Sequence, residues 1–277
     1  MKNRRRADEA LYEELNLESV ELARALIMEG RVMSGDRKIL RASEMLREGE
    51  TLRVRGDLDA YVSRGAHKLK RALDVFGIDL NGLVCADIGA STGGFTDVML
   101  RAGARRVYAV DVGYNLLDYK LRSDDRVTVM ERTNARFLQP GDFNPRPSFG
   151  ATDVSFISLK AVLPAALSIL EGVRPRFVAL VKPQFEAEKD EVGEKGVVRD
   201  RRVHEKVLRE ITGFVPALGW RVNGLDYSPI RGPEGNIEFL MDLVPSDNET
   251  ENPRGFSIDV TIDKAYDKFF KSFEEGL

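Results

Sequence analysis

Two carboxylates, Asp87 and Asp111, stand at the ends of two short apolar segments, and the first opens onto the turn Gly89-Ala90-Ser91-Thr92-Gly93-Gly94-Phe95-Thr96. Glycines at 89, 93 and 94 let backbone approach a ligand that a Cβ would exclude, and a helix starting near Phe95 aims its free N–H groups at the same place. Such a turn is expected to hold an adenosine cofactor. Ser91 replaces the second glycine of the dinucleotide fingerprint G-x-G-x-x-G, and a carboxylate at 87 repels a pyrophosphate. It suits instead a cofactor with an ammonium group, such as the methionine end of S-adenosylmethionine. Asp111 is placed to accept hydrogen bonds from ribose hydroxyls, as acidic residues after a second strand do. The expected cofactor set is Asp87, Gly89, Ala90, Ser91, Gly93, Gly94, Phe95, Asp111 and Val112. The competing reading makes both carboxylates helix caps or solvated loop charges.

Methyl transfer by direct displacement needs an acceptor behind the methyl carbon, and the loop after the fourth strand, Thr152-Asp153-Val154-Ser155-Phe156-Ile157, speaks to its type. Enzymes that act on exocyclic amines of bases carry Asn or Asp, two prolines and an aromatic there, which this loop lacks. Methylation of a base carbon needs a nucleophilic cysteine near the site, and the single cysteine, Cys85, sits inside the first strand. A hydroxyl acceptor is the better reading. Lys182 follows the apolar run Phe177-Val178-Ala179-Leu180-Val181 directly, which puts its amine beside Asp153 at a strand end. Lys68, on a helix before the first strand, and Glu238, on the reversed last strand, complete a Lys-Asp-Lys-Glu set drawn from four segments. A second lysine disfavours the cationic form of Lys182, while Asp153 and Glu238 favour it. Two roles therefore stay open for Lys182: neutral base, or cation stabilising an alkoxide.

The elements that must position these residues follow from periodicity. From residue 80 onward apolar strands alternate with helix-length segments, as in a doubly wound parallel sheet. Strands are expected near 83–88, 106–111, 127–131, 149–154, 176–182, 220–227 and 236–243, and the connection Ser228 to Asn236 leaves no room for a crossover helix. The last strand should therefore be antiparallel. Residues 1–56 show two helical patterns and a short strand pair and form a separate α+β unit, joined by 57–62 to a main domain at 63–245. Residues 246–277 read as a linker, a strand-like Ser257 to Ile262 and a closing helix with Tyr266, Phe269, Phe270 and Phe273. Gln184 to Arg202, with Gly193 and Gly196, reads as a mobile loop that closes over RNA, or as a disordered surface loop.

Of the 277 residues, 43% are hydrophobic and 31% charged, a globular balance. No apolar run approaches the ~18 residues of a membrane span, and the start Met1-Lys2-Asn3-Arg4-Arg5-Arg6 leads into charged sequence, so a cytoplasmic protein is expected. A lone cysteine excludes an intramolecular disulfide and a multi-cysteine zinc site, and no metal is expected. Cys85 should be a buried structural thiol. The net charge of −3, and 12 Lys and Arg against 11 Asp and Glu in residues 1–56, give no global sign of nucleic-acid binding. Any such surface must come from charge segregated onto one face.

Residues 24–32, Arg-Ala-Leu-Ile-Met-Glu-Gly-Arg-Val, with the following turn and the Gly49-Glu50 strand entry, resemble the alpha-L RNA-binding domain of ribosomal small-subunit protein four. The pattern departs from it at Ser34-Gly35-Asp36, where Asn-Gly is usual. The Lys68, Asp153, Lys182 and Glu238 set resembles the tetrad of the FtsJ-type ribose 2′-O-methyltransferases. Nearly the whole chain is similar to the TlyA (hemolysin A-like) rRNA methyltransferases, through residues 63–69, 87–95, 153–159, 181–186 and 235–238. That resemblance implies a Rossmann-like seven-stranded methyltransferase sheet, S-adenosylmethionine as cofactor, and 2′-O-methylation of cytidine in ribosomal RNA or ribosomal subunits. Lys68, Asp153, Lys182 and Glu238 would be catalytic, and Arg4, Arg5, Arg6, Arg24, Arg31, Arg37, Lys38, Arg64 and His67 would meet RNA. A membrane-active hemolysin and a non-catalytic assembly factor that binds RNA are the alternatives.

Overall fold

Apolar residues at helical spacing build the first unit. Ala7, Ala10 and Leu11 on helix α1 (Ala7–Glu14) and Ala23, Leu26 and Ile27 on α2 (Val20–Met28) are buried together, because residues three and four apart share a helix face. Against them lies a small antiparallel sheet of β1 (Val32–Ser34), β2 (Arg37–Lys38) and β3 (Arg53–Val54) in the order β2-β1-β3. The structure is a computed structural model that describes residues 5–15, 17, 19–28, 30–47, 49–55, 61–247 and 255–270. It separates into two compact units, residues 1–60 and 61–277.

The second unit is a seven-stranded sheet between helices. Its elements are α3 (Ala66–Phe76), β4 (Val84–Ile88), α4 (Gly94–Arg101), β5 (Arg106–Val110), α5 (Tyr119–Arg122), β6 (Val127–Met130), β7 (Phe149–Thr152), α6 (Leu159–Ser168), β8 (Arg176–Val181), α7 (Pro183–Glu186), α8 (Arg201–Phe214), β9 (Trp220–Tyr227), β10 (Phe239–Pro245) and α9 (Ile258–Phe270). Strand order is β6-β5-β4-β7-β8-β10-β9, parallel except for β10, which runs antiparallel to both neighbours. The expected architecture is therefore the observed one. β4 and β8 are buried almost throughout, as strands covered on both faces must be, and Cys85 lies within the first of these. Burial pushes its thiol up to about 12, so it is an inert packing group.

Two expectations change. The segment Ser257 to Ile262 alternates polar and β-branched residues like a strand, yet Ile258 onward is helix α9. Thr261, Ile262 and Ala265 are its buried residues, and the Thr261 N–H donates to the Ser257 carbonyl at 3.0 Å, so helical spacing wins over alternation. Phe273 lies outside the described residues. The expected linker also ends early, because Tyr61 and Val62 are part of the second unit. The Val62 N–H donates to Asp97 on α4 at 3.0 Å, and the Arg101 guanidinium stacks over the Tyr61 ring at 4.6 Å.

Charges inside the sheet are paired. Arg176 on β8 makes a two-pronged contact with Asp242 on β10, both bonds at 2.7 Å, and Asn223 donates to the same carboxylate at 2.8 Å.

Candidate active site

In a doubly wound sheet the strand order reverses at one point, and ligands bind there at the carboxyl ends of the strands. Here the reversal falls between β4 and β7, and the loops after both strands open on two adjoining cavities of about 460 and 190 Å³. Gly89, Ser91, Asp153 and Ser155 line both.

The larger cavity takes Asp111 and Val112 from the end of β5, Thr133 and Asn134 from the end of β6, and an apolar wall from Val154, Ile157 and Val162. Asp111 holds the glycine turn in place by accepting from Ser91 N–H at 2.8 Å and Gly113 N–H at 2.7 Å. The smaller cavity is lined by Asp87, Gly89, Ala90, Ser91, Gly94 and Phe95 from the turn, with Lys68, Asp153 and Lys182 facing them. Gly93 lines neither cavity.

Packing within the protein also constrains these glycines. A Cβ on Gly93 would sit 2.2 Å from Leu121, one on Gly94 2.3 Å from the Ser63 hydroxyl, and one on Gly89 3.1 Å from the Asp153 carbonyl. Gly89 and Gly93 also adopt φ of +85° and +96°, open to glycine without strain.

Asp87 is fully enclosed. One oxygen accepts from the Thr96 N–H and hydroxyl at 2.8 and 2.7 Å, capping α4, while Oδ1 has no partner. Burial, with repulsion from Asp153 and Asp111, pushes its carboxyl up to about 7 against the Thr96 bonds. The cap reading thus holds for one oxygen of the side chain and leaves the other without a partner.

The four residues expected to be catalytic form a chain of alternating charge. Lys182 Nζ lies 2.6 Å from Asp153 Oδ1, Lys68 Nζ is 3.2 Å from Asp153 Oδ2, and Lys68 Nζ is 2.7 Å from Glu238 Oε2. Glu238 is completely buried, lines neither cavity and touches their lining through Lys68. Gly232 makes room for it: a Cβ there would sit 2.7 Å from Glu238 Oε1. Burial alone would drive Lys68 toward its neutral form, but Asp153 and Glu238 outweigh it and raise its pKa. Burial likewise opposes ionisation of Asp153, and the two lysines overcome it and hold the carboxyl below its ordinary value. Lys68 is thereby a cation and Asp153 an anion at neutral pH.

Among residues expected to meet RNA, Arg4 lies outside the described residues. Several of the others are engaged within their own unit. Arg6 and Arg24 both bond the buried Asp8 at 2.9 Å, and the two guanidiniums hold that carboxyl far below the ordinary range against its burial. Arg5 pairs with Glu14, and Arg37 with Glu44 and Glu50. Arg31 donates to the Arg55 carbonyl at 3.3 Å, and the exposed Lys38 lays its stem across Gly30. In the second unit Arg64 donates to the Arg231 carbonyl at 3.2 Å, and His67 meets the Tyr61 ring edge-on at 5.7 Å.

Residues that the sequence reading gave no role include Ser155, whose hydroxyl accepts from Lys182 at 2.8 Å. Another is Glu186, which accepts from the Ser158 hydroxyl at 2.6 Å and the Leu159 N–H at 2.7 Å. Thr133 and Asn134 were findable, since they follow the third strand as Asp87 and Asp111 follow the first two. The segment 184–202, read as mobile or disordered, is tied down by Asn236, which accepts from Val198 N–H at 2.9 Å and donates to the Gly196 carbonyl at 2.8 Å.

Comparison with known proteins adds four likenesses. The profile of the FtsJ-like methyltransferases matches residues 61–243. A provisionally assigned rRNA methyltransferase of Bacillus subtilis, YqxC, is 47% identical over 239 residues, 86% of this chain and 85% of the relative. The 16S/23S rRNA (cytidine-2′-O)-methyltransferase TlyA of Mycobacterium tuberculosis is 42% identical over 245 residues, 87% of this chain and 90% of the relative. The solved structure of a provisionally named hemolysin from Streptococcus thermophilus superposes with a TM-score of 0.74 at 44% identity, covering 99% of this chain and all of that one.

Proposed function

Because the chain belongs to the FtsJ-like methyltransferases and, within them, to the TlyA (hemolysin A-like) rRNA methyltransferases, we propose that it 2′-O-methylates cytidine ribose in ribosomal RNA with S-adenosylmethionine. The observation that carries the mechanism is the chain Lys182, Asp153, Lys68, Glu238 beside the junction of the two cavities. The cavity residues fit the cofactor: the unpartnered Asp87 Oδ1 suits a buried ammonium, and Val112, Ile157 and Val162 offer apolar surface to a purine. Gly89, Ala90, Ser91, Gly94, Phe95 and Asp111 would complete its enclosure. When bound, S-adenosylmethionine supplies an electrophilic methyl group.

The chain's own residues handle the acceptor. Glu238 and Asp153 keep Lys68 charged, and Lys68 in turn keeps Asp153 ionised beside Lys182. Lys182 meets the ribose hydroxyl, as a base or as the charge that stabilises the forming alkoxide. The N-terminal unit is read as an alpha-L domain that brings structured RNA to this face, with Arg64 and His67 at the margin of the second unit adding contacts. Among the described residues no helix is long and apolar enough to cross a membrane. A cytoplasmic enzyme acting on ribosomal subunits is the setting this reading implies.

Replacing Lys182 with alanine tests it. Single-turnover transfer of labelled methyl to ribosomal subunits should fall by about 10²- to 10⁴-fold while the cofactor and RNA still bind. Arginine should not restore transfer, since guanidinium stays protonated and differs in shape. Transfer at the wild-type rate by Lys182→Ala would sink the mechanism.

A further inference from the structure

A lysine amine at the end of four rotatable bonds has no intrinsic aim. Its Nζ carries three positions besides the bond to Cε, filled by three N–H groups in the cation or by two N–H groups and a lone pair in the neutral amine. At Lys182 one of the three is directed to Ser155 Oγ, which accepts at 2.8 Å, while Asp153 Oδ1 lies 2.6 Å away as an ion-pair partner outside hydrogen-bond geometry. We propose that Ser155 is the positioning residue that aims Lys182, its hydroxyl fixing rotation about the terminal bond so that another position on Nζ faces the cavity. This inference rests on the reading of Lys182 as the residue that meets the ribose hydroxyl.

The geometry favours one direction in either charge state. The bond to Ser155 fixes one N–H of the amine or of the cation, and the ion pair with Asp153 fixes the side on which Nζ sits, so the lone pair or another N–H is left for the cavity. Asp153 alone would hold Nζ at one point while letting it spin. Ser155 supplies the second anchor, and it lines both cavities, where methyl donor and acceptor must meet.

Its loop is built to keep that hydroxyl in place. Phe156 adopts a left-handed φ of +63°, costly for a bulky residue, and its ring packs at 5.0 Å against Phe185, three residues after Lys182. Glu186 binds Ser158 and Leu159 on the far side of the same loop. The strand ends that carry Lys182 and Ser155 are therefore tied to each other at two further points.

The test compares Ser155→Ala with Ser155→Thr, which keeps a hydroxyl, and includes Lys182→Ala. Single-turnover methyl transfer to ribosomal subunits, cofactor affinity by calorimetry and thermal unfolding are measured for each. Ser155→Ala should slow transfer by about 100-fold, with unfolding and cofactor affinity close to wild type, because a misaimed group costs rate and not binding. Ser155→Thr should recover most of that loss. Wild-type transfer by Ser155→Ala would overturn the inference, as would Ser155→Thr as slow as Ser155→Ala, since a role in loop packing alone gains nothing from the hydroxyl. If Lys182→Ala itself transferred normally, the proposed function would fail instead, which keeps the two failures apart.

Discussion

Asp87 is the residue whose surroundings make the most specific demand. Its carboxyl is pushed up to about 7, chiefly by burial, so near pH 6 the apo site is largely protonated. An ammonium brought beside Oδ1 would favour the carboxylate, and binding should then release a proton. We expect the calorimetric enthalpy of S-adenosylmethionine binding around pH 6 to vary with the ionisation enthalpy of the buffer, and affinity to rise as pH approaches about 7. Asp87→Asn keeps an acceptor for Thr96 and should abolish the buffer dependence. A wild-type enthalpy independent of buffer would remove Asp87 from the ammonium's surroundings. The stability contribution has a matching sign. A folded-state value raised above the unfolded one means that the contribution is present at low pH and is lost as pH rises through about 7, so Asp87→Asn should gain on the apo wild type across that interval.

At the scale of elements, the site depends on how the strand ends after β7 and β8 are joined. Glu186 on α7 is the staple: it accepts from Ser158, the N-cap of α6, and from the first N–H of that helix. Burial raises its carboxyl above the ordinary range against these hydrogen bonds and Lys160, with Glu210 adding to the rise. Glu186→Ala leaves a helix start without its acceptors and should cost about 1–2 kcal/mol in denaturant unfolding. Methyl transfer should slow with it, since Asp153 and Ser155 lie on the loop so anchored. Glu186→Gln retains one acceptor and should recover part of both losses; equal unfolding midpoints for wild type and Glu186→Ala would show that the staple contributes nothing. Sequence placed Glu186 in the 181–186 motif but gave no hint of this contact, because its partners Ser158 and Leu159 lie far back along the chain. The misread Ser257–Ile262 is the reverse case: its local alternation was clear, but contact of α9 with the sheet favoured the helical face of the same residues.

For the whole molecule, the expected division of labour is RNA capture by residues 1–60 and chemistry by residues 61–277. Several arginines of the first unit are matched by carboxylates, as with Arg6 and Arg24 on Asp8 or Arg37 on Glu44 and Glu50. Recognition by shape, with salt-dependent phosphate contacts at the rim, suits such a surface better than bulk positive charge. Removing residues 1–60 should leave cofactor binding intact, because the cavity residues all come from the second unit, and should abolish methylation of ribosomal subunits. Full-rate methylation by the truncated protein would assign the first unit another role. Calorimetry with cofactor and a subunit methylation assay on the same preparation distinguish loss of RNA capture from loss of folding.

The positions of the seven strands along the chain, the reversal of the last one and the carboxylates at strand ends were determined by the sequence alone. They follow from apolar periodicity, connection length and the rule that parallel sheets bind ligands at their carboxyl ends. The Lys-Asp-Lys-Glu set was also legible, through Lys182 directly after a buried run and through family likeness. What only the tertiary structure decided is which atoms meet. It placed Glu238 behind Lys68 and away from the cavity, set the glycines of the turn against Ser63, Leu121 and Asp153, and put the Ser155 hydroxyl against Lys182. Those pairings join residues from 27 to 170 positions apart or turn on a single rotamer. Local patterns report which face of an element is buried; they carry no information about which distant side chain lies across from it.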